Sequence, residues 1–147
     1  MITVRTYRNE DMGSLLHIMD LNTPKYFDPS ERKGFERYLQ KETEDYFVVE
    51  KDGKTVGCGG LNYEAGGTEA VFSWGMIHPA LHGKGLGTAL CKHRMRHIRS
   101  QTGIERVIVR TSQHTQGFYS KLGFQLKKME NDYWGKGLHL YYMVQHL

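Results

Sequence analysis

The chain is poor in cysteine and proline and has no long apolar run. Cys58 and Cys91 are its two cysteines and form no CxxC pair. That speaks against a disulfide scaffold and for a reducing, cytoplasmic setting. The three prolines are scattered, and no Pro/Gly/Ser linker, internal repeat or low-complexity tract divides the sequence. No stretch stays apolar long enough to cross a bilayer as a helix. The opening "MITVRTYRNEDMG" lacks the apolar centre of a secretion signal and alternates as a strand does. What is present is ordinary for a globular protein: 147 residues, 39% hydrophobic and 24% charged. Residues 1–147 are read as one domain with a single core.

The formal charge of +4 admits an anionic cofactor, an acidic surface or nucleic acid as partner. The densest basic run is "KHRMRHIRS", Lys92 to Ser100. At helical spacing Met95 and Ile98 interrupt its basic face, and it lacks the interleaved aromatics of a nucleic-acid platform. A nucleic-acid-binding domain is therefore the weakest of three functional readings.

Hydrophobic periodicity orders the chain as βααβββαβαββ, a mixed α/β (α+β) domain. "ITVRTY" alternates as a first strand. Asn9 is placed to cap a helix carrying Glu10 and Asp11 in its first turn. "DPSE", residues 28–31, has capping-box spacing, and Phe35, Tyr38 and Leu39 give the next helix an apolar face. Two strand-like runs flank Asp52-Gly53, a hairpin signal. "EAVFSWGMI", 69–77, is a strand leading into a helix from about Gly85 to Arg99. "ERVIVRT" is a buried strand, and "TQGFYSKLG" is a short helix ended by Gly123. "FQLKKM", 124–129, and "LHLYYMVQHL", 138–147, are the last strands, with "NDYWGKG" as the loop between them.

Gly83, Gly85 and Gly87 stand where the long helix begins, just beyond a strand end. A helix amino terminus offers unpaired N–H groups and a partial positive charge, so a phosphate can rest there if side chains leave room. A bare glycine-rich turn is the alternative. The P-loop pattern fails because Gly83-Lys84 is followed by Gly85. The dinucleotide pattern fails because Thr88 or Leu90 occupies its last place, and "ERVIVRT" ends in Arg110-Thr111 rather than an acid.

A third pattern fits. "IHPALHGKGLGTAL" resembles motif A of the GNAT superfamily of N-acetyltransferases: a strand end at Ile77, a nearby Pro79, then (Arg/Gln)-x-x-Gly-x-(Gly/Ala) with Gly85 and Gly87. His82 stands where Arg or Gln is usual. "SQHTQGFYSKLGF" is similar to motif B through Phe118, Tyr119, Gly123 and Phe124, with Ser112 and Thr115 replacing Asn and Ala. The resemblance covers essentially the whole chain. It implies a mixed sheet of about seven strands and about four helices, splayed between strands four and five. It also implies acetyl-CoA as co-substrate, its pyrophosphate on His82, Gly83, Lys84, Gly85, Leu86, Gly87 and Thr88. The pantetheine would pair near Met76 and Ile77, with Ser112 and Phe118 in the same wall. Tyr119 becomes the general acid for the leaving thiolate, a role its neutral phenol suits near pH 7. Packing of the short helix is its alternative role.

The base is open at this stage. The position where relatives carry a strand-four glutamate is Val71. Glu69, His78, His114 and a water chain all remain candidates, with Glu69 and His114 carried forward. The acceptor is expected to be a primary amine of a small molecule or peptide, attacking directly in a ternary complex. Tyr26 and Phe27, then Tyr133 and Trp134, are candidate acceptor walls or core aromatics. Glu130 and Asp132 are candidate attractors of a cationic amine. His93 and His97 share a helix face, but no HExxH glutamate or third ligand accompanies them, so no metal is expected. The chain is expected to avoid membranes and nucleic acid and to be a monomer or homodimer. A CoA-binding module without catalysis is the second reading.

Overall fold

A computed structural model describes all 147 residues. Strand β1 (Ile2–Thr6) leads through a 3-10 turn into α1 (Met12–Leu21). That entry differs from the expected Asn9 cap. Asp11 organises it instead, accepting the Arg8 N–H at 2.8 Å and the Arg5 guanidinium at 2.7 and 2.9 Å. The "DPSE" box forms as read. Asp28 accepts the Ser30 N–H at 3.0 Å and Glu31 accepts the Asp28 N–H at 2.9 Å, starting α2 (Arg32–Lys41). Strands β2 (Asp45–Lys51) and β3 (Lys54–Glu64) join through Asp52 and Gly53 at φ 53° and 80°. Both central residues of such a turn need positive φ, which matches the right-handed twist of the strands.

Next come β4 (Glu69–Ile77), α3 (Leu86–Arg99), β5 (Arg106–Thr111), α4 (Gln116–Lys121), β6 (Gln125–Gly135) and β7 (Leu138–His146). The seven strands form one sheet in the order β1-β2-β3-β4-β5-β7-β6. Only β4 and β5 run parallel, joined by α3. Strand β6 is longer than the sequence suggests. "NDYWG" belongs to it, so Tyr133 and Trp134 sit on a strand and not in a loop. Asp132 adopts φ 56° and the pairing shifts register between Glu130 and Gly135. A bulge thus absorbs the turn-forming Asn-Asp pair, and Gly137 at φ 79° makes the actual turn.

Each face of the sheet has its own core. On one, Leu86, Leu90, Cys91, Met95 and Ile98 of α3 pack against Phe47, Val49, Phe72, Val107 and Val109. On the other, Leu15 and Met19 of α1 with Phe35, Tyr38 and Leu39 of α2 cover Tyr46, Val48, Cys58 and Met76. Both cysteines are free and buried. No helix is long and apolar enough to cross a membrane.

The sheet opens in its middle. Residues Glu69 to Phe72 of β4 pair with Arg106 to Val109 of β5, and there the ladder stops. The cause lies in β4 itself. Its pairing with β3 slips between Cys58 and Gly60, and Trp74 takes φ 46°, which a bulky side chain rarely adopts. A bulge bends its strand and sharpens its twist. The bulge carries residues 75–77 away from β5, whose last residues pair only with β7.

Candidate active site

The opening between β4 and β5 is continuous with a cavity of about 990 Å³. Trp74 holds the bulge that creates it. Its indole packs on Phe35 at 5.2 Å, Tyr38 at 6.3 Å and Phe27 at 6.4 Å between ring centres. Its carbonyl accepts the Tyr46 hydroxyl at 2.8 Å. A strained backbone braced in this way is a frequent mark of a functional site.

The α3 side of the cavity is built on backbone. Gly83 and Gly85 take φ 78° and 83°, and Gly85 is the N-cap residue of α3. The first helical bond runs from Ala89 N–H to Gly85 O at 3.0 Å. The N–H groups of Leu86, Gly87 and Thr88 therefore lack helical acceptors and face the helix end. A side chain at Gly83 or Gly85 would meet nothing within 4 Å, so these two are glycine for their left-handed backbone. Gly87 has a different reason: a Cβ there would lie 3.3 Å from the Phe118 ring. His82 is a strut. Its Nε2 donates to Ile77 O at 2.9 Å, and buried Asn22 of the α1 end donates to the same carbonyl at 3.1 Å.

Met76, Ile77, His82, Gly83, Gly85, Gly87, Thr88, Ser112 and Phe118 all line the cavity. Lys84 and Leu86 do not. Lys84 is exposed, and Leu86 is a core residue only 1% exposed. Ser112 also shapes the β5–α4 corner, its carbonyl accepting the N–H groups of Thr115 and Gln116. The Tyr119 ring stands edge-on to Phe72, Phe118 and Phe124 and lines the cavity. Burial raises its pKa, with the Arg94 guanidinium opposing, so the phenol keeps its proton through neutral pH.

The opposite side is built on side chains. Tyr26, Phe27, Tyr133 and Trp134 reach the cavity from two distant segments. Tyr26 stands edge-on between His82 at 5.1 Å and His114 at 5.7 Å. Trp134 donates its indole N–H to Thr111 O at 3.2 Å, fixing β6 against the end of β5. Of the residues weighed as bases, His114 lines the cavity near its rim, exposed. His78 does not line it, and its Nδ1 accepts the Ala80 N–H at 3.1 Å. Glu69 is corrected by its position. It begins β4 at the closed end of the sheet and is ion-paired to Arg106 at 2.8 Å. Glu130 and Asp132 likewise lie outside the cavity, and Asp132 is spent on the Gly137 N–H at 2.7 Å.

Several cavity residues escape the sequence reading, three charged ones among them. In the sequence Glu31 is only the end of a capping box. One of its oxygens accepts the Asp28 N–H, yet the carboxyl also lines the cavity, and burial lifts its pKa to about 7. One turn further along α2, a Cβ on Gly34 would touch the Trp74 indole at 3.7 Å, so this helix face abuts the β4 bulge. Glu64 also lines the cavity, but at its far end, where it pairs with Glu69 across β3 and β4. Arg94, read as part of a basic run, is 2% exposed. Its spacing from Leu90, Cys91 and Ile98 had put it on the apolar face.

The acetyltransferase (GNAT) family model matches residues 15–124. No curated protein matches by sequence. Among solved structures, the ribosomal-protein-S18-alanine N-acetyltransferase of Escherichia coli superposes with TM-score 0.81 at 18% identity, covering 99% of this chain and 94% of that one. Ard1 from Thermoplasma volcanium gives 0.83 at 20% identity over 99% and 97%. An aminoglycoside 6'-N-acetyltransferase complexed with coenzyme A gives 0.79 at 13% over 98% and 96%. At such identities these structures share a fold with this chain. The match to the family model spans most of the chain and takes in both the glycine helix start and Tyr119, and on that ground the chain belongs to the GNAT family of acetyltransferases.

Proposed function

We propose that this protein transfers the acetyl group of acetyl-CoA to a primary amine of a small molecule or peptide within a ternary complex. The observation that carries the reading is the splay itself. It joins a glycine-built helix end on one side of the sheet to an acidic, aromatic groove on the other, with the Tyr119 hydroxyl between them. The residues fit a CoA thioester. Bare N–H groups at Leu86, Gly87 and Thr88 suit a pyrophosphate, and the unpaired edge of β4 at 75–77 suits an amide-bearing arm. Acetyl-CoA supplies an acyl group already activated on sulfur.

The remaining work falls to side chains. Glu31 attracts a cationic amine to the groove. Glu31, whose carboxyl titrates near neutrality, takes the amine proton, because only a neutral amine attacks. This replaces Glu69, which is too far along β4, and leaves His114 as a rim residue. The N–H groups of the splayed β4 edge stabilise the developing oxyanion. Tyr119 gives its proton to the departing sulfur. Acceptors named for the similar structures, a ribosomal-protein-S18 alanine and an aminoglycoside, belong to the same chemical class.

The test is release of CoA thiol from acetyl-CoA across a panel of small primary amines and amino-terminal peptides. Amine-dependent release identifies an enzyme and its acceptor. Tight acetyl-CoA binding without release from any amine would make the chain a CoA-binding module instead.

A further inference from the structure

Arg94 is the feature that acetyl transfer leaves unexplained. It points from α3 into the core beneath the splay and is 2% exposed. An arginine is always charged, and a buried charge is costly unless something answers it. No carboxylate of the chain does so: none of the ion pairs involves Arg94. Its Nε has no hydrogen-bond partner, Nη1 has only a long bond of 3.5 Å to Gly60 O, and the neutral Tyr119 hydroxyl is the polar side-chain group beside it. The guanidinium lies over the Phe72 ring at 3.8 Å, which fixes its plane.

Space has been cleared for this group. A Cβ on Gly59 would stand 3.0 Å from Nη1. A Cβ on Gly75 would stand 3.5 and 3.6 Å from Nη1 and Nη2, and 3.7 Å from the Tyr119 hydroxyl. Arg94, Tyr119 and Gly75 thus converge on one point of the splayed β4 edge, and all three line the cavity. Gly75 presents its bare face toward α3, whereas Trp74 and Met76 on either side pack with α1 and α2. With the leaving sulfur beside Tyr119, as the proposed reaction requires, an acyl chain would reach this point. An acceptor entering from the α1–α2 side meets Glu31 and Trp74 first.

We propose that Arg94 binds a terminal carboxylate on the acyl group, so that the site takes short dicarboxylic acyl-CoA thioesters in preference to uncharged ones of equal length. The inference rests on the acyltransferase reading above. A planar fork with free N–H groups is suited to a carboxylate, which accepts two parallel bonds. An acetyl group fits but leaves the cation without an anionic partner. The transfer keeps the same balance. The amine nitrogen forms a bond to the acyl carbon, the carbon–sulfur bond breaks, Glu31 receives the amine proton, and the thiolate takes a proton from Tyr119.

The experiment measures dissociation constants by calorimetry for malonyl-, succinyl-, propionyl- and butyryl-CoA. For the wild-type protein, at least one charged thioester should bind tenfold or more tightly than its uncharged partner of equal length. Arg94→Met should abolish that ratio. Gly75→Ala, which inserts a methyl at ordinary contact distance from the guanidinium, should shrink it and serves if Arg94→Met does not fold. A wild-type ratio near one, or a ratio that survives both substitutions, overturns the proposal. So does equal weakening of all four thioesters in Arg94→Met, which would tie Arg94 to Tyr119 alone. Absence of binding by any CoA thioester would overturn the acyltransferase reading and this inference with it.

Discussion

The two sides of the β4–β5 splay are made in opposite ways. On the α3 side, one run of seven residues, His82 to Thr88, supplies a helix end and a turn made by left-handed glycines. Its chemistry is mostly backbone N–H. On the α1–α2 side, the groove draws Glu31, Trp74 and the Tyr133-Trp134 pair from three separate places in the chain. Its chemistry is all side chain. A backbone site tolerates many side chains and needs only glycine where the chain must bend. A side-chain site changes with each substitution and is held by packing between elements. The difference suggests a constant donor handled by a fixed device, and an acceptor handled by an adjustable one.

Between the two sides stands Tyr119, so its removal is expected to have the largest effect. Tyr119→Phe keeps the ring among Phe72, Phe118 and Phe124 and deletes only the hydroxyl. Turnover at saturating acetyl-CoA should fall by about 100-fold or more, the usual worth of a positioned acid. Acetyl-CoA affinity should stay within about threefold. An unchanged rate would leave the ring as packing and remove the acid from the junction of the two sides.

This contrast also explains what could be read from the sequence. The glycine turn, Gly123 and the Phe118-Tyr119 pair are local signals, because each depends on backbone geometry within a few residues. The "DPSE" box was equally legible as a helix start. What it hid was that Glu31 also lines the cavity, together with a β4 bulge more than forty residues later in the chain. The bulge itself left no cue, since "EAVFSWGMI" reads as an unbroken strand and Trp74 at φ 46° depends on its aromatic cage. The Asn131-Asp132 pair signalled a turn, and tertiary pairing with β7 kept it within a strand. Arg94 was the one hidden residue whose position on the apolar face the helical period already specified.

The acceptor side can be tested through Glu31. Glu31→Gln keeps the capping hydrogen bond and removes the charge. The acid limb of the kcat/KM profile near pH 7 should disappear, with a loss of about tenfold to 100-fold at pH 8. Retention of that limb would shift deprotonation to water or His114. The same variant has a stability signature. Folding raises this carboxyl from 4.5 to about 7, so the folded state holds the proton more tightly than the unfolded one. The cost of ionising it in the fold begins above pH 4.5 and is complete above about pH 7. Glu31→Gln should therefore be more stable than wild type at pH 8, by on the order of 1–2 kcal/mol once the shift is discounted for the part of the carboxyl that stays in solvent, and equal to it at pH 4. Denaturant melts at the two pH values measure this directly.

The donor side is tested at Gly85. A valine there meets open space, so no packing is lost, but it forces a β-branched residue to φ 83° beside the free N–H groups. Acetyl-CoA should bind at least tenfold more weakly, about 1.4 kcal/mol, with the fold retained. Gly87→Val is the less informative variant, because its Cβ presses on Phe118 and mixes packing with binding.

The smallest effect is expected where neither side reaches. Glu69 sits six residues before Gly75, about 20 Å along an extended strand, and its carboxylate is occupied by Arg106. The pair is partly exposed, at 20% for Glu69 and 35% for Arg106. Such a pair contributes at most about 1 kcal/mol to stability. Glu69→Gln should accordingly keep turnover within about twofold at every pH, and lower the denaturation midpoint slightly. A tenfold loss of turnover with an unchanged fold would return the base to β4. In that case one strand would carry both the oxyanion donors and the proton acceptor, and the division of labour between the two sides of the splay would not hold.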